Sequence, residues 1–178
     1  MTAPLRFASL QVFPELVHGI SDRSFGSVYP EEDGGRARLA EALGISPAAL
    51  VPTRQVHRDR IVRVPGPDYG CFRGQHPADG LTTDTPGLFL LGYFADCLPI
   101  LAYDPVHRAV GLAHAGWRGT LLSIAGRLVE EMAAAWGTRP VDLVVGLGPA
   151  IGPCCYEVGE EAVSYTHLRA HETPEHLV

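Results

Sequence analysis

The sequence predicts a single domain of mixed α/β (α+β) class, with mixed β-sheets flanked by helices, and three observations carry that expectation. Leu88 to Phe94 is a continuous apolar run, the pattern of a strand buried on both faces. Leu98 to Tyr103 and Ala109 to Ala113 flank Asp104-Pro105-Val106-His107-Arg108, which reads as a hairpin turn. Leu121, Ile124, Leu128, Met132 and Ala135 recur at helical spacing in a segment that Thr120 opens. The mixture is not a regular βαβ repeat.

Taken in order, Phe7 to Gly19 is apolar and extended in character, interrupted by Pro14, and Ser21 to Gly35 is a polar, Gly-rich surface loop. Arg36 to Leu43 is a short helix stopped by Gly44. Leu50-Val51 and Ile61 to Val64 are strands on either side of a turn at His57, and Pro65 to Gly80 is a long loop. Gly137 and Pro140 end the long helix, and Val141 to Leu147 is a further strand. Ser164 to Val178 shows neither apolar period and holds three of the eight His. It reads as translated adaptor sequence, so the domain is expected over 1–163 with a non-native tail over 164–178, and His167, His171 and His176 are kept out of any metal site.

With 178 residues, 46% of them hydrophobic, the chain is long enough for one domain with a real core. With a net charge of −6 and a pI near 5.7, no basic face for nucleic acid or anionic membrane is expected. All 14 Lys-plus-Arg positions are Arg, which excludes a Schiff-base lysine and a Walker-type phosphate loop. No apolar run approaches the ~18 residues of a membrane span, and no signal pattern opens the chain, so a cytoplasmic location is expected. Cys71, Cys97, Cys154 and Cys155 do not resemble a disulfide framework, two of them being adjacent.

Three apolar strands end in residues that ligate metals: His57 in Gln55-Val56-His57, Cys97 in Ala95-Asp96-Cys97, and His114 in Gly111-Leu112-Ala113-His114-Ala115-Gly116-Trp117-Arg118-Gly119. Two imidazoles and one thiolate suit a zinc ion with one position left open for water or substrate. Singly, each has a plain reading as a hydrogen-bonded histidine or a small core cysteine. They lie 40 and 17 residues apart, so only strand ends converging on one sheet edge would unite them.

Those segments, with Asp79-Gly80-Leu81-Thr82-Thr83 and Gly148-Pro149-Ala150-Ile151-Gly152-Pro153-Cys154-Cys155-Tyr156-Glu157-Val158, occur in an order that resembles the laccase-domain family. This is the polyphenol oxidase-like group of purine nucleoside phosphorylases, and the match runs from about His18 to Val158. The resemblance implies a CNF/YfiH-like, cysteine-hydrolase-type architecture and one zinc held by His57, Cys97 and His114. It also implies phosphorolysis of adenosine, inosine, guanosine and methylthioadenosine, and deamination of adenosine. Purine nucleosides and phosphate are then the partners, and a monomer is expected.

Copper is the other metal attributed to the family. A multicopper centre needs many imidazoles, and only five His lie outside the tail. A blue-copper site of two His and one Cys usually adds an axial Met, and only Met1 and Met132 exist. The inventory favours zinc, which brings the pKa of water toward ~7, as attack at C6 of adenosine requires. Asp96 is the candidate acid or base, or a strand-end cap. Arg23, from His18-Gly19-Ile20-Ser21-Asp22-Arg23, matches the family's HGxSxR segment and suits phosphate. Arg118 either does the same or packs on Trp117 or a carboxylate, and Tyr156 is a wall for the base. His18 is read as structural.

The chain departs from the family at Ser24 to Pro30, so nucleoside contacts from that loop do not carry over. Family members also continue beyond the CCYEV segment, so part of the core and one pocket wall are expected to be missing, leaving an apolar sheet edge. The competing readings are a copper polyphenol oxidase, an inactive zinc-binding fragment, and a hydrolase with Cys97 as nucleophile and His114 as base.

Overall fold

The hairpin around Asp104 organises the molecule. In the computed structural model, which describes residues 3–28, 34–66 and 77–170, strands Leu98–Asp104 (β5) and Ala109–Ala115 (β6) pair antiparallel from Leu98↔Ala115 to Asp104↔Ala109. Gly80–Thr83 (β3) pairs antiparallel with β6, Ile61–Arg63 (β2) lies parallel to β3, and Val144–Leu147 (β7) pairs antiparallel with β5. The five-stranded sheet therefore runs β2-β3-β6-β5-β7. Leu50–Pro52 (β1) and Phe89–Leu91 (β4) form a separate parallel pair.

On one face of the large sheet, Ile100, Ala102, Ala109, Ala113 and Ala115 pack against Ile124, Leu128 and Met132 of helix Ile124–Trp136 (α4). Small residues on the strands let the helix approach: a Cβ on Gly111 would stand 2.9 Å from Leu128 Cδ1. Each of those three buried side chains contributes about 1.5–3 kcal/mol relative to exposure. Gly137, at φ +74, closes the helix. The other face, with Leu101, Tyr103, Val110 and Leu112, borders a cavity of about 650 Å³ also lined by Leu10, Leu39 and β4.

Several elements differ from expectation. Phe7 to Gly19 is not extended: Ala8–Gln11 is a helical turn (α1) with Leu10 buried. Pro14 denies a ladder its donor, and only the bridge Leu5↔Ile20 pairs nearby. His18 is structural as expected, its Nε2 accepting the Phe7 N–H at 2.9 Å. The Ser21 to Gly35 loop contains a 3₁₀ turn, Arg23–Phe25, capped by Asp22, and helix Gly35–Leu43 (α2) ends as expected at Gly44. Leu88 to Phe94 pairs only over Phe89–Leu91, with Phe89 and Leu90 half-buried, because its partner β1 is three residues long. The loop expected over Pro65 to Gly80 lies outside the described residues over 67–76, and β3, which no expectation covered, begins at its last residue; two threonines in four residues hide the strand's apolar pattern, yet all four are buried.

The helix expected from Thr120 is two helices. Trp117–Leu121 (α3) starts earlier, and left-handed Ser123, at φ +60, turns the chain into α4. Pro140–Asp142 is a 3₁₀ turn, so β7 begins later than Val141. At the sheet edge, Val145 and Leu147 of β7 are exposed. Helix Glu160–Ala170 (α5) crosses the boundary expected at 163/164. Cys71, His171 and His176 lie outside the described residues, as does the His167 side chain. Among the described residues, no helix is long and apolar enough to cross a membrane.

Candidate metal centre

The β5–β6 register places two candidate ligands side by side. Pro99 faces His114 and Leu98 faces Ala115, so Cys97, one residue before β5, comes beside Gly116, one residue after β6. His57 arrives from the β1–β2 loop. The donor atoms of His57, Cys97 and His114 all lie within 4.8 Å of one another. The His57 and His114 rings meet edge to face at 4.8 Å, and the Phe94 ring tilts over His114 at 5.6 Å. His114 is buried, Cys97 half-buried and His57 exposed, so the cluster opens on the His57 side.

Gly116 belongs to this geometry. A Cβ there would lie 3.1 Å from Cys97 Sγ and 3.2 Å from His57 Cδ2. The backbone φ of −72° suits any residue, so what favours glycine here is space and not backbone conformation.

Asp79, quoted above only as part of a motif, lies beneath the cluster with its side chain fully buried. Its Oδ1 accepts the His57 N–H at 2.9 Å, its Oδ2 accepts the Arg58 N–H at 2.9 Å, and the Val56 N–H is shared between both oxygens at 3.2 and 3.1 Å. His114 Nδ1 lies 2.9 Å from Oδ1, and the His114 N–H donates to the Asp79 carbonyl at 2.7 Å. Burial pushes the Asp79 carboxyl upward, but the His114 bond and the backbone N–H bonds outweigh it and leave it below the ordinary Asp value. His57 sits in the left-handed region at φ +57. Gln55 ties the same loop to the chain after β4, donating to the Tyr93 carbonyl at 2.7 Å and accepting the Tyr93 N–H at 2.8 Å. An aspartate just before a short strand, and a glutamine two residues before a candidate ligand histidine, were the available sequence signals for both.

Burial, then the nearby Asp96 and Asp79 charges, pushes the Cys97 thiol above its ordinary value. That opposes a metal-free cysteine nucleophile, which needs a lowered pKa. The residues do fit a zinc ion. They supply two imidazoles and a sulfur, the space at Gly116 would be overfilled by one methyl, and Nδ1 of His114 is engaged elsewhere, leaving Nε2 as donor.

The remaining candidates divide. Arg118 and Tyr156 line one cleft of about 170 Å³ with Trp117, Glu157 and Glu161. The Arg118 guanidinium is 4.4 Å from the Trp117 ring centroid and donates to the Glu161 carboxylate at 2.7 and 2.9 Å, so both packing alternatives are realised together. Asp96 is exposed, and its carbonyl accepts the Ile151 N–H at 2.9 Å, tying the Gly148–Val158 segment to the Cys97 edge. Arg23 is exposed on its 3₁₀ turn and is not among the residues lining the cleft. Cys154 and Cys155 are exposed free thiols with sulfurs 3.3 Å apart.

Comparison with known proteins gives a consistent result. The family described as multi-copper polyphenol oxidoreductase laccase matches residues 33–176. Purine nucleoside phosphorylase YlmD of Geobacillus stearothermophilus is 45% identical over 137 residues, covering 72% of this chain and 48% of the relative. Purine nucleoside phosphorylase ORF3 of Streptomyces griseus is 35% identical over 169 residues, covering 90% of this chain and 68% of the relative. The crystal structure of Bacillus licheniformis YfiH superposes with a TM-score of 0.70 at 38% identity, covering 79% of this chain and 57% of that one. The chain thus spans about half the length of YlmD.

Proposed function

Because the chain belongs to the multi-copper polyphenol oxidoreductase laccase family, with relatives named purine nucleoside phosphorylase, we propose that it is a zinc-dependent enzyme of purine nucleosides. Its reactions are phosphorolysis of adenosine, inosine, guanosine and methylthioadenosine, with deamination of adenosine beside it. The observation that carries this reading is the convergence of His57, Cys97 and His114 around the space kept by Gly116. Zinc there supplies Lewis-acid charge, which eases ionisation of water and polarises phosphate oxygens.

The chain's own residues supply the rest. The exposed His57 side of the cluster admits a substrate, while Phe94 and the buried His114 close the other. Tyr156 and Trp117 offer aromatic walls to a purine in their cleft. Arg23, free of the Glu161 pair that holds Arg118, is the guanidinium for phosphate, and Arg118 keeps the cleft's shape. Asp96, exposed beside Cys97, is the residue assigned to exchange protons with bound nucleoside, its exposure supporting that role. A copper phenol oxidase is supported less: Met132, the sole described methionine, is buried on the sheet-facing side of α4 rather than offered as an axial ligand.

Chromatography of adenosine incubated with the purified chain and phosphate tests this directly. Adenine or inosine that disappears with a strong chelator supports the reading. Phenol oxidation without nucleoside turnover overturns it.

A further inference from the structure

We propose that Asp79 is the positioning residue of the metal centre: its one carboxylate fixes the tautomer of His114 and the backbone of His57 together, so two ligands from different segments are set by a single side chain. The inference rests on the metal reading above.

The hydrogen-bond inventory carries it. An ionised carboxylate only accepts, and every other group on Asp79 is a donor: the N–H groups of Val56, His57 and Arg58. Oδ1, which faces His114, is already accepting from His57 at 2.9 Å. The proton in the Asp79–His114 bond therefore belongs to Nδ1, and the Nε2 lone pair is free for a metal. The same oxygen holds the His57 amide while that residue sits at φ +57, a left-handed conformation uncommon for any residue but glycine.

Asp79→Asn separates positioning from filling space. Both carboxylate oxygens accept backbone N–H groups, Oδ1 from His57 and Oδ2 from Arg58, so a carboxamide must point its NH₂ at one donor. With NH₂ on the Oδ1 side it also donates to His114 Nδ1, which moves the imidazole proton to Nε2 and removes the ligand lone pair. With NH₂ on the Oδ2 side it confronts Arg58 N–H and releases the ligand loop.

The test is a cobalt(II) titration of the metal-free full chain, wild type and Asp79→Asn, read by the thiolate-to-cobalt absorption band. Nitrogen-15 NMR of the histidines in both metal-free proteins accompanies it. The expected result is a band in wild type, cobalt affinity about 10–100-fold weaker in the variant, and a His114 that is Nδ1-protonated in wild type; in the variant that proton either moves to Nε2 or stays in place while the released loop alone weakens binding. Equal affinity with an unchanged tautomer overturns the role of Asp79 and leaves the metal reading standing. Absence of the band in wild type overturns the metal reading itself. Should Asp79→Asn fail to fold, the wild-type tautomer decides alone: Nε2-protonated His114 overturns the proposal and Nδ1-protonated His114 supports it.

Discussion

Cys97 and His114 stand at one end of a seven-residue antiparallel ladder backed by α4, whereas His57 stands on a loop between three-residue strands that belong to different sheets. The ladder fixes its two positions many times over, through register and through the packing of Ile124, Leu128 and Met132. The loop's two ends are tied by backbone bonds at Thr53, Arg54 and Arg60, but around His57 itself the side chains that hold it are Gln55 and one buried carboxylate. Ligands of one site can thus have very different structural security, and substitutions should separate the two kinds.

The largest effect is expected from the ligands themselves. Cys97→Ser and His57→Ala should each weaken cobalt binding by more than the ~10–100-fold that supporting partners contribute. Removing Cys97 should abolish the thiolate absorption band as well. Neither change should lower the urea midpoint much, since neither side chain belongs to the core clusters. A large loss of stability in Cys97→Ser alone would show that the ladder's end needs the sulfur for packing.

Leu128→Ala attacks the ladder from behind. This side chain is 1% exposed and packs where β6 is thinned to glycine. The loss should be about 2–5 kcal/mol of unfolding free energy, measured by urea denaturation. In the fraction still folded, cobalt affinity should stay near wild type. If affinity collapses with stability, the ladder's security is no greater than the loop's.

Gly116→Ala acts where the two regions meet. Its methyl would crowd Cys97 on the ladder and His57 on the loop without straining the backbone. Affinity should fall about tenfold, equivalent to ~1.4 kcal/mol, with the urea midpoint nearly unchanged. Unchanged affinity would mean that the loop yields freely to make room.

The same division decides what was legible in the sequence. Hairpin, long helix and the strand-end position of His114 follow from local apolar period and turn chemistry, because those elements are built from neighbours in sequence, whereas Cys97, expected to close the Leu88 to Phe94 strand, instead precedes β5. The short β3 was hidden by Thr82 and Thr83, and the paired part of Leu88 to Phe94 was overestimated because its partner's length is a property of the fold. The trio of ligands was named from motifs, but their convergence depends on Asp79 reaching 22 residues back to His57 and 35 forward to His114. Spacing in sequence does not encode that contact. The break at Ser123 escaped for a different reason: a left-handed serine has no signature as plain as glycine's.

The smallest effect concerns the ladder's other end, where Asp104 plays the counterpart of Asp79. Burial pushes its carboxyl up, but bonds from Thr138, His107 and the turn N–H groups outweigh this and hold it below the ordinary range. A group lowered in the folded state stabilises above its unfolded pKa of ~3.9. That contribution is lost as pH falls from there through the lower native value, where the unfolded chain binds the extra proton first. Here, however, both turn N–H groups, of Val106 and His107, donate to Oδ1, and Oδ2 faces His107 Nδ1. Asparagine can satisfy all three, with its oxygen on the two amides and its NH₂ donating to the imidazole nitrogen. Asp104→Asn should therefore cost only on the order of 1 kcal/mol near neutrality and flatten the acid limb of stability, followed by urea midpoints across pH. The identical change at Asp79 has no orientation that satisfies its donors, so it should damage the site far more than Asp104→Asn damages the turn. Equal tolerance at both positions would mean that His57's loop is held by something other than its carboxylate.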